Sequence, residues 1–199
     1  MSKFRNFLVI GTVSAVSMLG SGVAFGATNS PAVGAKHAAT AHVLKVKKVA
    51  FKGSYKGTIK LVWGATTVSS TLSGARGTGS LLGAASTMTG SGSGADTAYS
   101  NAFLGTGVLS GAGSRLVLNI IKTASSASVA SGTQAGVQSP PTMVIVVGQA
   151  KVTSGTGKWK GATGTIKFSG NFMVTNSTAG TSESDSFSAT LTGTLSVKK

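Results

Sequence analysis

Between residues 49 and 63 the odd positions hold Val49, Phe51, Gly53, Tyr55, Gly57, Ile59, Leu61 and Trp63, while the even ones include Lys52, Ser54, Lys56, Thr58 and Lys60. A period of two sends successive side chains to opposite faces, so the segment reads as a half-buried β-strand with its aromatic row inside. The chain closes on the same alternation, Phe187, Ala189, Leu191, Gly193, Leu195 and Val197 against Ser188, Thr190, Thr192, Thr194 and Ser196. Between these ends, Leu116, Leu118 and Ile120 alternate with Val117 and Asn119, and Ile166, Phe168, Gly170 and Phe172 alternate with Lys167, Ser169 and Asn171. Residues 143–147 are a continuous apolar run, and fainter strands are expected over 67–72, 77–82 and 106–109. Near Lys47 and Lys48 the phase slips, since Leu44 and Val46 share a parity that Val49 and Phe51 do not. A bulge, or the true start of the strand, would produce that slip.

No window places apolar residues at helical spacing between capping residues. The 29 glycines also fit badly in helices, where each costs about 1 kcal/mol relative to alanine. The expectation is an all-β domain of about eight strands with glycine-rich turns. Residues 86–101, 123–142 with Pro140 and Pro141, and 175–184 read as loops, long enough to be either a functional rim or irregular chain.

The N-terminus changes the picture of compartment. Lys3 and Arg5 precede an apolar stretch through Leu19, and small residues offer cleavage after Ala24 or Gly26. This order is that of a secretory signal peptide, expected over 1–26; a spanning helix would need about 20 mostly apolar residues, and this run is shorter and broken by glycine and serine. Residues 27–42, alanine-rich and carrying both His37 and His42, read as a flexible tail, leaving 43–199 as one domain. The product is therefore expected outside the cell or at its surface, with no transmembrane span after signal removal.

Residues 155–170, GTGKWKGATGTIKFSG, carry a family resemblance: a G-T-G-x-aromatic-x-G-A-x-G turn followed by an alternating strand. The pattern resembles the hairpin near the end of dirigent proteins and allene oxide cyclase-like barrels, including secreted bacterial members; Gly77-Thr78-Gly79 and Gly105-Thr106-Gly107 are looser matches. The resemblance implies an antiparallel eight-stranded barrel around a cavity, in proteins that orient radical coupling or fold an unstable epoxide, and in which homo-oligomers are common. The acidic and polar cavity residues used there have no clear counterparts in this chain, so the fold is carried over and the activity is not. Physically, eight strands close a barrel just wide enough to be filled by side chains or to hold one small ligand. The inward set of Phe51, Tyr55, Ile59, Trp63, Phe168, Phe172, Phe187 and Leu191 favours a mostly filled interior, with Trp159 capping one end. Inside such a barrel, the echo of Gly57-Thr58-Ile59-Lys60-Leu61 in Gly164-Thr165-Ile166-Lys167-Phe168 would turn Lys60 and Lys167 outward.

Catalytic chemistry finds little to stand on. Cys is 0, which removes thiolate nucleophiles, disulfides and cysteine metal sites together. A serine triad needs a histidine base, and both histidines fall in the expected tail. The carboxylates are Asp96, Glu183 and Asp185; the last two are two apart and could share a strand face, but they lie in a Ser/Thr-rich stretch and are expected as a solvated pair. Glycine clusters such as residues 74–79 are followed by no helix, so they read as turns and not as a phosphate or dinucleotide cradle. No catalytic, cofactor or metal residue is assigned, and a non-catalytic role is favoured.

Charge, in contrast, is lopsided. Eighteen Lys and Arg face 3 Asp and Glu; without Lys3 and Arg5, 16 bases against 3 acids leave +13. Lys52, Lys56 and Lys60 share one strand face; Lys45, Lys47 and Lys48 precede them, and Lys158 and Lys160 flank Trp159. These eight lysines are the candidate contacts for polyanions such as anionic cell-wall polymers. Specific nucleic-acid binding is not expected, because the mature chain has only Arg76 and Arg115 and its aromatics alternate inward. Three classes follow: an exported barrel that associates with the cell surface or binds a small apolar ligand, a cavity protein guiding cyclisation or coupling, and an outer-membrane barrel.

Overall fold

The computed structural model describes residues 45–80, 82–96, 100–130 and 142–198. The expected signal segment, the 27–42 tail and residues 131–141 with Pro140 and Pro141 lie outside them. Nine strands follow in order: β1 (Val46–Trp63), β2 (Thr67–Gly79), β3 (Gly83–Ala95), β4 (Ser100–Gly111), β5 (Ser114–Ile120), β6 (Ser126–Val129), β7 (Thr142–Thr156), β8 (Thr163–Val174) and β9 (Ser182–Lys198). All pairings are antiparallel, and β9 returns to β1 in unbroken register from Val46↔Lys198 to Val62↔Ser182. β5 and β6 share one stave. They lie end to end between β4 and β7, β5 against Thr106 to Gly111 and β6 against Ser100 to Ala102. The result is a closed up-and-down barrel of eight staves, one of them broken at a short 3-10 turn over Lys122–Ala124.

Parity places the side chains as the alternation demands. In β1 every odd residue from Phe51 to Trp63 is buried or half-buried and every even one is exposed. Lys60 and Lys167 both point outward, while Ile59 and Ile166 are buried. The phase slip near Lys47 is the strand's start, since β1 begins at Val46 and pairs with β9 without a bulge.

β2 joins two segments that the sequence pattern separates. Between the Lys56↔Arg76 and Ile59↔Leu72 pairs it carries one residue more than β1, and Gly74 sits in that bulge at φ +70°, a conformation glycine takes without steric cost. Inward parity therefore switches from Val68, Ser70 and Leu72 to Ala75, Gly77 and Gly79.

Three expected loops are corrected. Residues 86–101 are mostly β3 and the start of β4; the inner positions of β3 are Ser86, Met88, Gly90, Gly92 and Gly94, so hardly any apolar side chain marks the strand. Within 123–142, Ser126–Val129 is strand. The third loop ends early, because β9 starts at Ser182 and takes Glu183 and Asp185 onto its inner face.

The barrel's two ends differ. The β2–β3, β4–β5 and β7–β8 connections meet at one end, where Ala112 and Gly113 form a two-residue turn with both φ positive, 47° and 70°, the conformation that matches strand twist in tight hairpins. This end is closed. Phe51, Tyr55, Leu82, Leu109, Leu116, Trp159 and Leu195 are all at most 4% exposed there. Trp159 caps it from a 3-10 turn, as its place in the sequence suggests. Tyr55 is fully buried; burial pushes its phenol up, offset in part by Ser86, whose hydroxyl bonds both the Tyr55 hydroxyl (3.1 Å) and the Gly77 carbonyl (3.1 Å).

Candidate ligand cavity and basic outer wall

The other end is hollow. A cavity of about 230 Å³ runs inward from it, walled by Ile59, Leu61 and Trp63 of β1, Val68 and Leu72 of β2, Met88 of β3, Phe103 of β4, Ile120 of β5, Val144 and Val146 of β7, and Phe168 and Phe172 of β8. The closed-end residues named above take no part in the lining, so the interior is half filled and not mostly filled. The cause lies in β3 and β4. Gly90, Gly92, Gly94 and Gly107 line the cavity where other strands present large side chains. At Gly107 the space is real, since an added Cβ would meet nothing nearer than 3.7 Å. An apolar cavity of about 150 Å³ stays dry and takes up benzene. The space here suits one molecule of one or two fused rings.

Polar groups gather at the mouth. Asp96 and Ser177 border the cavity, and Glu183 lies opposite Leu61 and Asp185 opposite Ile59 on the inner wall. Glu183 works as an anchor. Its Oε1 accepts from Trp63 Nε1 (3.3 Å), and its Oε2 accepts from Thr175 N (2.9 Å), Thr175 Oγ1 (2.6 Å) and Asn176 N (2.9 Å). Partial burial would raise this carboxyl, but the four hydrogen bonds outweigh it and hold the group below its ordinary value. Asp185 goes the other way: desolvation, then the Glu183 charge, pushes it up, and its Oδ2 is buried without a hydrogen-bond partner. The pair is therefore two groups with opposite environments, not a solvated pair.

The outer wall is of another kind. β9 presents Ser184, Ser186, Ser188, Thr190, Thr192 and Thr194 outward, and β3 presents Thr87, Thr89, Ser91 and Ser93. This corrects the outer-membrane class, because a lipid-facing wall is apolar over a polar lumen and here the two are reversed. Among the described residues no helix is long and apolar enough to cross a membrane either. A small apolar strip remains at Met143, Ile145 and Val147, each at least 36% exposed; the run at 143–147 alternates in and out like any other strand.

Of the candidate polyanion contacts, Lys48, Lys52, Lys56 and Lys60 stand exposed in one row on β1, opposite Ser196, Thr192, Ser188 and Ser184 of β9. Lys45 and Lys47 lie exposed beside its beginning, and Lys158 and Lys160 are exposed in the β7–β8 connection at the same, closed end. Pairing adds what spacing could not. Arg76 faces Lys56 directly across β1 and β2, and Lys167 faces Thr192, whose other neighbour is Lys52.

Among the described residues no cluster of three His, Asp or Glu could hold a metal ion. The geometry defines a closed, half-hollow antiparallel barrel with an apolar pocket and a basic exterior. Compared with known proteins, the chain matches no family model, no curated protein and no solved structure.

Proposed function

We propose that the barrel is a non-catalytic binding protein that holds one small apolar molecule in the open half of its interior, and that it does so outside the cell or at the cell surface. The cavity of about 230 Å³, walled mainly by apolar side chains, carries this reading. Burial of such a ligand gains about 25 cal/mol per Å² of apolar surface removed from water, and little of the interior needs to rearrange to admit it. Export rests on the order of Lys3, Arg5, the apolar run and the small residues at 22–26. A mature N-terminus between Phe25 and Thr28 in secreted material is the expected result.

The test of binding uses 1-aminonaphthalene, a small uncharged fluorophore whose emission moves to shorter wavelength in apolar surroundings. Saturable one-to-one binding is expected, and Gly107→Leu, which grows a side chain into the cavity from a position with room for its Cβ, should abolish it while the melting temperature holds. A folded Gly107→Leu that binds as well as the parent would sink the proposal. A second reading, a cavity that guides cyclisation or coupling as the resembled family does, is favoured by Asp185, an inner-wall carboxyl raised toward its protonated form. An unstable conjugated epoxide should then emerge as one cyclised stereoisomer; a racemic product at the uncatalysed rate removes this reading.

A further inference from the structure

Charge is distributed along the barrel axis in a way no single motif reveals. All three described carboxylates, Asp96, Glu183 and Asp185, lie at the open end, whereas Lys45, Lys47, Lys158, Lys160 and Lys198 gather at the closed one. Between the ends, the β1 wall carries lysines every fourth residue from Lys48 to Lys60, about 13 Å apart at ~3.3 Å per residue. Their cross-strand neighbours on β9 are hydroxyls, and on β2 Lys56 meets Arg76. Like charges directly opposite one another destabilise a sheet. No acid stands at any of these positions, and hydroxyl donors fill the places between the cations.

We propose that the outer wall of β1, with Arg76 at its centre and the closed end as its extension, is a docking surface for a linear phosphate polymer, and that docking leaves the cavity mouth uncovered. A phosphate chain laid along β1 meets a cation at each lysine and serine or threonine hydroxyls between them. A stacking polymer is not what this wall fits, since its outward residues include no aromatic side chain. The carboxylates at the mouth repel the same polymer, so charge keeps it on the wall and off the mouth. The uncovered-mouth part rests on the proposed ligand cavity; the docking part does not.

Long-chain inorganic polyphosphate is the probe, with heparin and a DNA duplex beside it, titrated onto the mature protein at several salt concentrations. Lys56→Gln with Arg76→Gln should weaken polyphosphate binding at least tenfold and lower the slope of log affinity against log salt by about two, one per lost contact. Lys122→Gln with Lys151→Gln removes the same charge from parts of the barrel that do not pair with β1 and should cost less than threefold. Equal losses in the two double variants would show that net charge alone binds, and would overturn the surface; so would tighter binding of the DNA duplex than of polyphosphate at matched charge. With 1-aminonaphthalene already bound, saturating polyphosphate should leave its emission unchanged, and displacement would overturn the uncovered mouth. Should aminonaphthalene fail to bind at all, the cavity reading falls while the two double variants still decide the surface.

Discussion

Truncating one leucine in each half of the barrel measures how the interior is divided. Leu116 is fully buried at the closed end, whereas Leu72 borders the cavity. Each Leu→Ala change removes about three methylene equivalents at ~0.8 kcal/mol each, a transfer loss of about 2.4 kcal/mol. Leu116 pairs with the equally buried Leu109 in the closed end, which holds no cavity to collapse into, so a void term of ~24 cal/mol per Å³ is added and the total falls at about 3–5 kcal/mol. At Leu72 the space beyond the side chain is already empty, so the void term drops out and about 2 kcal/mol remains. A domain of this size loses roughly 2–4 °C of melting temperature per kcal/mol. Leu116→Ala should therefore melt about 10 °C lower than the parent and Leu72→Ala about 5 °C lower, by circular dichroism with calorimetry confirming a two-state transition. Equal losses would mean that the open half is packed like the closed one, and the cavity would have to be abandoned.

Two further outcomes follow from side-chain placement. Ile59→Asp and Phe168→Asp put an unpaired carboxylate on the inner wall, at a cost of several kcal/mol against a stability of ~5–15 kcal/mol, and should unfold the domain, while their outward neighbours tolerate the same change in Lys60→Asp and Lys167→Asp; melts ranked the other way would put the register in error. Asp185 has its pKa raised by folding, so it favours the folded state below its ordinary carboxylate range and opposes it once ionised; Asp185→Asn should thus melt higher than the parent at pH 7 and lose that advantage at pH 3, and an unchanged advantage at low pH would rule out the desolvated carboxylate as its source.

The parts of the fold legible in the sequence are those where one strand face is apolar and the other polar. β1 announces itself because Phe51, Tyr55, Ile59 and Trp63 alternate with Lys52, Lys56 and Lys60, and β9 because its inner leucines alternate with threonines. β3 stays hidden for the reason that makes it interesting: its inner positions are glycines, so Gly90, Gly92 and Gly94 beside Ser91 and Ser93 carry the composition of a loop and the geometry of a strand. The bulge at Gly74 inverts parity in mid-strand and splits β2 for any reader of periodicity. The cavity shares this fate. It arises from side chains that are missing on β3 and β4, and only closure of the barrel shows that the gap faces Val144 and Phe172 from the far wall. Glu183 and Asp185 read as solvated because serine and threonine surround them in the chain, yet the serines are the outward half of a strand that turns both carboxyls inward. The lysine row was readable from spacing; its facing partner Arg76 was not, since pairing register across the bulge is invisible in one dimension.

The most direct test of the account is a methyl-resolved NMR titration with 1-aminonaphthalene. Methyl groups of Leu72, Ile120, Val144 and Val146, which wall the cavity, should shift and show contacts to the ring protons, while Leu82, Leu109, Leu116 and Leu195 of the closed end stay in place. Shifts concentrated instead at Met143, Ile145 and Val147, on the outer wall, would mean that the molecule adheres to exposed apolar surface, and would contradict the claim that the barrel holds its ligand inside.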